Sequence, residues 1–530
     1  MESEVIETTE HANQLLKSGR LREALEICSH AIGKNENDVG AWHILSNIHL
    51  RSGSNQKAIA AARRACDLSQ NQVFHLIHLG SCFVSAGYTA DARDLAEKVL
   101  RRNPSNHSDL SNLGALFVAC NEHRLGADLF EKALISDNNN AHHWYNLASV
   151  QRMLGEIQAS LTSINKALAI NPADGQAHYL RSDLVTQSQQ KNHVQELKDA
   201  LAAEGQPNSN KVLLGFALAK ELEDLGFFSE SFVQLEQATK MFRRTINYDV
   251  ERDLKAIHQI ITQHSSEALG STSQGYLDTS PIFIVGLPRS GTTLVERIVA
   301  SHEKVASVGE QNFFALEMTA AAAEVSRNGS DSRFELVTNA LQINMNSLGQ
   351  NYHSRVHQLL PHDGRIVDKM PINYLYCGLI HAALPNAQII SVNRDPMDSC
   401  YAAYKAFLRG PYPFTYDLHD LGQYFVAFKK LMHHWQAVLP GRAFHEIRYE
   451  ALINNFETEA RAIFKFLMLD WDPSVLDFQN NPSPSSTASA SQVRRGLYTS
   501  SIGKWRNYAE QLEPLRSQLE KELKGLQIHG

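Results

Sequence analysis

Small and turn-forming residues return along the first half of the chain with a period of 34. Gly19, Gly53, Gly87 and Gly155 lie at that spacing or a multiple of it. Asn121, which also tolerates a left-handed turn, fills the missing position. Seven residues before each come Ala12, Ser46, Gly80, Gly114 and Ala148; five after come Ala24, Ala58, Ala92, Gly126 and Ser160. Twelve after come Ala31, Ala65, Val99, Ala133 and Ala167. Small side chains at these offsets let the two helices of a hairpin approach closely, and Leu45, Leu79, Leu113 and Leu147 fill the remaining space. Pro104 and Pro172 punctuate repeat ends. Five units cover about 5–174, a poorer one runs to about 205, and a further one is centred on Gly226, with Ala219, Ser231 and Ala238 in phase. The spacing predicts an array of helical hairpins over 5–245.

The second half has a different rhythm. Short apolar runs at 282–285, 366–367, 388–392 and 444–447 read as strands. Helical patterns fill 292–301, 310–325, 333–350, 373–383, 397–408, 419–438 and 455–467. Such alternation predicts a parallel sheet covered on both faces, with anionic ligands at the carboxyl ends of its strands. Residues 246–280 read as a helical connector and linker, polar and small from 265 onward. The chain therefore divides at 5–245, 246–280 and 281–530.

The first half resembles the tetratricopeptide repeat, whose period is also 34. The resemblance implies an all-α solenoid with a concave surface that docks a protein or peptide, or else a scaffold that packs only on its neighbour or a second copy.

Composition narrows the function classes. The chain has 530 residues, 43% hydrophobic and 20% charged, enough for two or three domains of ordinary globular make-up. A formal net charge of −7 argues against a general nucleic-acid binder. There is no run of about 18 apolar residues and no basic or apolar leader, so no membrane contact is expected. Six scattered cysteines without a C-x-x-C pair fit a reducing compartment, and cytoplasm is the expected location. His142-His143 and His433-His434 lack the spacing of helical metal ligands and read as ordinary helix residues. No metal is expected.

The candidate chemistry begins at 281–293, Pro-Ile-Phe-Ile-Val-Gly-Leu-Pro-Arg-Ser-Gly-Thr-Thr. A buried strand ends in Gly286, four residues follow, and Gly291-Thr292-Thr293 opens a helix. This is the G-x-x-x-x-G-K-[ST] phosphate loop with Thr292 where the lysine belongs. The loop can wrap an anion with backbone N–H groups and a helix N-terminus. It lacks the lysine that reaches the β- and γ-phosphates of a nucleoside triphosphate and carries Arg289 instead. A phosphate-like ligand follows, without ATP or GTP hydrolysis. A second stretch, Val392 to Ser399, places Arg394 at a strand end, with Asp395 as helix cap and Pro396 in the first turn. Arg394 can grip a second phosphate bidentately, or pair with Asp395 or Asp398.

From these stretches, residues 280–510 resemble sulfotransferases that use 3′-phosphoadenosine 5′-phosphosulfate (PAPS), most closely the protein-tyrosine sulfotransferase-like branch. The resemblance implies an α/β phosphate-loop domain with a parallel sheet, following the all-α repeat solenoid. It implies that Arg289, Ser290, Gly291, Thr292 and Thr293 hold the 5′-phosphosulfate and Arg394 the 3′-phosphate. Glu310 falls on the family's catalytic glutamate, Lys369 on a catalytic lysine, Tyr449 on a nucleotide-side tyrosine and Ser489 on a serine near the sulfuryl group. Lys504 falls on a Lys-Trp pair, and Arg495 on a 3′-phosphate contact. Taken singly, Glu310 would be a helix cap, Lys369 a surface or ion-pair lysine, Tyr449 a packed aromatic and Ser489 a loop hydroxyl. The family's serine eight residues after Arg394 is Ala402 here; either Ser399, one turn earlier, substitutes for it or a 3′-phosphate contact is lost.

The expected reaction is in-line attack of a hydroxyl on sulfur. Glu310 accepts the proton; Arg289, Lys369 and the loop N–H groups stabilise the developing charge. The branch implies a protein tyrosine as acceptor; glycan, lipid and small-molecule hydroxyls stay open. Residues 480–491, followed by Arg494-Arg495-Gly496, read as a lid or a flexible connector. Two other readings compete: a nucleotide kinase or NTPase, and a non-catalytic repeat adaptor with a nucleotide-sensing domain.

Overall fold

The structure is a computed structural model that describes residues 2–325, 333–481, 483, 484, 487, 496, 497 and 499–524. Two compact units divide the chain, Met1–Val150 and Gln151–Gly530.

The first unit is built of helical hairpins: Glu2–Lys17 with Leu21–Lys34, Val39–Arg51 with Asn55–Leu68, Val73–Ser85 with Thr89–Leu100, and His107–Ala119 with His123–Ser136. Each hairpin turns through a left-handed residue, Gly19, Gly53, Gly87 or Asn121, at φ between +65° and +80°. The small residues do what their spacing predicts. A Cβ on Gly126 would stand 2.9 Å from the carbonyl oxygen of Gly114, so these two helices touch backbone to backbone. Ala58 and Ala92 are fully buried at the equivalent contacts.

In the second unit the helices Ile157–Ile170, Gly175–Leu184, Val194–Ala202, Asn208–Asp224 and Phe228–Arg243 precede the sheet. Gly226 repeats the left-handed turn at φ +82°. Between Gly175–Leu184 and Val194–Ala202 there is no such turn; an isolated bridge between Ser188 and Lys191 closes a longer loop. That accounts for the poorer repeat signal there.

Five strands follow: β1 (Pro281–Gly286), β2 (Val305–Gly309), β3 (Arg365–Asp368), β4 (Gln388–Asn393) and β5 (Phe444–Arg448). They form one parallel sheet in the order β2-β3-β1-β4-β5. The fold class expected from the sequence, a helical repeat region and then an α/β domain with a parallel sheet, is the one observed. β2 escaped the sequence reading. It is an edge strand with only Val305 and Val308 buried, too few for a recognisable apolar run. The predicted helix 333–350 is two helices, Arg333–Ala340 and Met345–Leu359, because the Asn344 side chain caps the second by accepting from Ser347 N–H at 2.9 Å.

Alternate side chains of β1 enter different cores. Ile282 and Ile284 pack with Val295, Ile390 and Ile463 on one face. Phe283 and Val285 join a larger core with Phe314, Tyr352 and Trp435, which continues without a break into Phe216, Phe232 and Leu235 of the repeat helices. The segment 265–280 lies close against the sheet domain. Tyr276 N–H donates to Ala383 O at 2.8 Å, and a Cβ on Gly275 would collide with Ala382 O. Among the described residues no helix is long and apolar enough to cross a membrane.

Candidate active site

β1 runs into the phosphate loop, and geometry fixes two of its residues as glycine. A Cβ on Gly286 would meet Val392 O at 2.8 Å, and one on Gly291, at φ +108°, would meet the Tyr449 ring at 2.5 Å. Arg289 itself takes φ +68°. The helix Thr292–Val299 starts on Gly291 with no side-chain cap, so its N-terminus faces the loop. Ser290 is 2% exposed, and its Oγ has no hydrogen-bond partner among the described residues. A buried hydroxyl left unmatched costs about 1–3 kcal/mol, which an anion in the loop would offset.

Arg394 follows β4. Its guanidinium lies over the Tyr449 ring at 4.7 Å and donates to Arg289 O at 3.0 Å and Ser501 O at 2.6 Å; its Nε is buried without a partner among the described residues. Tyr449 Oη is 3.0 Å from Ser501 Oγ. Asp395 caps the next helix through Asp398 N–H, as its position predicts, and Asp398 accepts from Gly503 N–H at 2.6 Å. The C-terminal segment 499–505 is thereby fastened over the loop.

Glu310 stands just past β2, ahead of the helix Phe313–Val325, so it caps no helix. Its Oε1 is ion-paired with Lys369, which follows β3 and is fully buried. Lys369 Nζ also lies 3.5 Å from Glu296, whose other oxygen accepts from Ser307 at 2.6 Å. Asp368, beside it, is pushed up to about 7 by burial, against the hydrogen bond from Tyr352 at 2.9 Å.

Residues 281–473 match the family model described as "Sulfotransferase family", and residues 9–73 and 141–174 match tetratricopeptide repeat models. Residues 281–473 are a sulfotransferase-family domain. An uncharacterized protein of Aquifex aeolicus is 30% identical over 387 residues, 72% of this chain and 50% of the relative; the chain thus spans about half the length of the curated relative it matches. Two solved structures are similar. The sulfotransferase domain from the curacin biosynthetic pathway has 19% identity over 49% of this chain and 99% of its own, with a TM-score of 0.34. A thermophilic tetratricopeptide repeat protein of Thermus thermophilus has 18% identity over 34% of this chain and 98% of its own, with a TM-score of 0.31.

The sulfotransferase domain and the last repeat helices enclose a cavity of about 600 Å³. Arg289, Gly291, Thr292, Thr293, Glu310, Arg394, Tyr449 and Lys504 all line it. Lys369 sits behind Glu310. Ser399 points elsewhere, its hydroxyl donating to Arg394 O at 3.4 Å, while Ala402 lines the wall. Ser489 and Arg495 lie outside the described residues. Of the expected lid, residues 480, 481, 483, 484 and 487 are described, with Thr487 Oγ1 3.4 Å from the Thr293 hydroxyl.

Several residues of this wall were not foreseen: Tyr179, Asp183, Lys220 and Glu223 from the repeats, and Lys405. A signal existed. The helix Asn208–Asp224 is apolar on nearly every side, which marks a buried helix, and a charge inside such a helix must be paired. In the first unit, His143 is a buried residue of the helix Ala141–Leu154. Its Nε2 lies 3.1 Å from His107 Nδ1, which is 3.6 Å from Asp137. One imidazole N–H donating to the other ring accounts for that contact without an ion.

Proposed function

We propose that this protein transfers a sulfuryl group from PAPS to a hydroxyl acceptor, a protein tyrosine, with the repeat array docking the polypeptide that carries it. The observation that carries the reading is a pair of buried donors without a partner among the described residues, Ser290 Oγ in the loop and Arg394 Nε beside it, in a sulfotransferase-family domain. Arg394 lines the cavity, as do Arg289 and Gly291 on either side of Ser290, so an anion bound there would meet both donors. The loop N–H groups, Ser290 and Arg289 would hold the 5′ end of the donor and Arg394 the 3′-phosphate, with Tyr449 as the stacking surface. Glu310, on the cavity wall, takes the acceptor's proton, and Lys369 orients Glu310 and stabilises charge growing at the transferred group. The family match favours this reading over a kinase or NTPase, as does Thr292 in place of the loop lysine.

Calorimetric titration with 3′-phosphoadenosine 5′-phosphate, and with ATP–Mg²⁺ in parallel, tests it. Micromolar binding of the bisphosphate with weak ATP binding is expected. ATP binding alone would overturn the donor assignment.

A further inference from the structure

Glu223 lies in the repeat helix Asn208–Asp224, three residues before the turn glycine Gly226. Its side chain is 7% exposed, yet it carries a full set of donors. Lys504 Nζ donates at 2.6 Å, Lys405 Nζ at 2.8 Å, Tyr401 Oη at 2.7 Å and Tyr508 Oη at 3.0 Å. A carboxylate has about four acceptor sites, so this one is saturated. Lys405 is the C-cap of the helix Pro396–Tyr404, and Lys504 opens the short helix Lys504–Tyr508. Both line the phosphate-loop cavity with Arg289 and Arg394. One carboxylate between two ammonium groups leaves that trio with one net positive charge, and each ammonium keeps N–H groups beyond the one that binds Glu223.

We propose that Glu223 is a positioning residue of the transfer site: a carboxylate supplied by a repeat that fixes the Lys405 and Lys504 ammonium groups on the cavity wall, where they face the phosphates of the donor. The last repeat is then a working part of the enzyme and not only a docking module. The inference rests on the sulfotransferase reading above.

Lys405 supplies the readout. It is faced by Glu223 from the repeat helix, by Lys504 from the C-terminal segment, by Arg289 from the loop and by Tyr401 on its own helix. Burial brings it down to about 8, against the pull of Glu223. Anion binding needs the ammonium, so affinity should fall as pH rises through about 8. The ligand's own secondary phosphate ionises near pH 6, below that window.

The test is calorimetric titration with 3′-phosphoadenosine 5′-phosphate between roughly pH 7 and pH 10, on the wild type and on E223Q, K405R and K405M. The wild type should lose affinity through about pH 8. E223Q, deprived of the charge that favours the ammonium, should lose it at lower pH. K405R should bind with no such decline. K405M should also lack the decline and bind roughly tenfold or more weakly at pH 7. A merely structural role for Glu223 would not move a titration midpoint. If E223Q does not fold, K405R and K405M decide. Profiles identical to the wild type in these variants overturn the positioning role while leaving the sulfotransferase reading intact. Absence of bisphosphate binding by the wild type overturns both.

Discussion

At one position of the repeat, three residues before the turn, the first unit carries Leu16, Leu50, Val84 and Val118, whereas the second carries Arg152 and Glu223. The turn itself is the same in both, with Gly53 at φ +73° and Gly226 at φ +82°. What differs is the neighbour. Leu16 is 5% exposed in an apolar cluster, and Leu50 packs on another. Arg152 donates to Thr487 O and lies 3.8 Å from Asp183, while Glu223 gathers two lysines and two tyrosines. A repeat that stacks on repeats needs a hydrocarbon there; the repeat that walls the cavity can carry Glu223, because the opposite charges, Lys405 and Lys504, come from the sheet domain.

The comparison can be broken at both ends. The largest effect is expected at the carboxylate proposed as the base: Glu310→Ala should lower turnover roughly 10²–10⁴-fold with bisphosphate affinity kept, read by steady-state kinetics on a tyrosine-peptide panel. Unchanged turnover removes Glu310 as the base. Next, Glu223→Ala leaves two ammonium groups facing each other without their counter-charge. It should cost about 3–5 kcal/mol in chemical denaturation of the full chain. A loss under about 1 kcal/mol would mean that the network is slack.

The pH dependence of stability sharpens the same contrast, because two buried carboxyls have opposite signs. Burial alone would raise Glu223, but Lys405 and Lys504 outweigh it and hold the carboxyl well below the usual range. Its contribution is therefore full above the ordinary carboxylate pKa and is lost in acid. Asp368, held up at about 7, is the reverse: its protonated form favours the fold, and that contribution fades as pH rises from about 4 through 7. Asp368→Asn should remove a slope worth up to a few kcal/mol across that window, measured by denaturation at pH 5 and pH 8. An unchanged slope would place the titration elsewhere. Arg394→Ala should weaken 3′-phosphoadenosine 5′-phosphate roughly tenfold or more. Adenosine 5′-phosphate should be weakened far less, and equal losses would remove the 3′-phosphate role. Smallest of all, Leu50→Ala should cost about 1 kcal/mol of thermal stability and leave bisphosphate binding untouched, since Leu50 only packs.

Much of the fold was legible. Gly19, Gly53, Gly87 and Asn121 announced their turns because a left-handed residue is a local requirement, visible without any partner. The strand–loop–helix at 281–299 was legible for the same reason: Gly286 and Gly291 are glycines because backbone and ring approach them too closely for a Cβ. β2 was not, since an edge strand with two buried residues leaves little periodicity. Of the site, the order Arg289, Glu310, Lys369, Arg394 and Tyr449 could be read along the chain. That Glu310 pairs with Lys369, and that Ser399 turns to a carbonyl, depends on where β2, β3 and the following helix end.

The sequence by itself determined the period of 34, the left-handed turns, the strand–loop–helix at 281–299 and the absence of the loop lysine, all of them carried by residues close together in the chain. Only the tertiary structure decided that Glu223 meets Tyr508, 285 residues away, that Ser501 meets Arg394, and that one core runs from the sheet into the repeat helices. Short-range rules fix what each segment can be. Which charges then stand on one cavity wall follows from how two apolar faces close on each other, and no spacing along the chain records that.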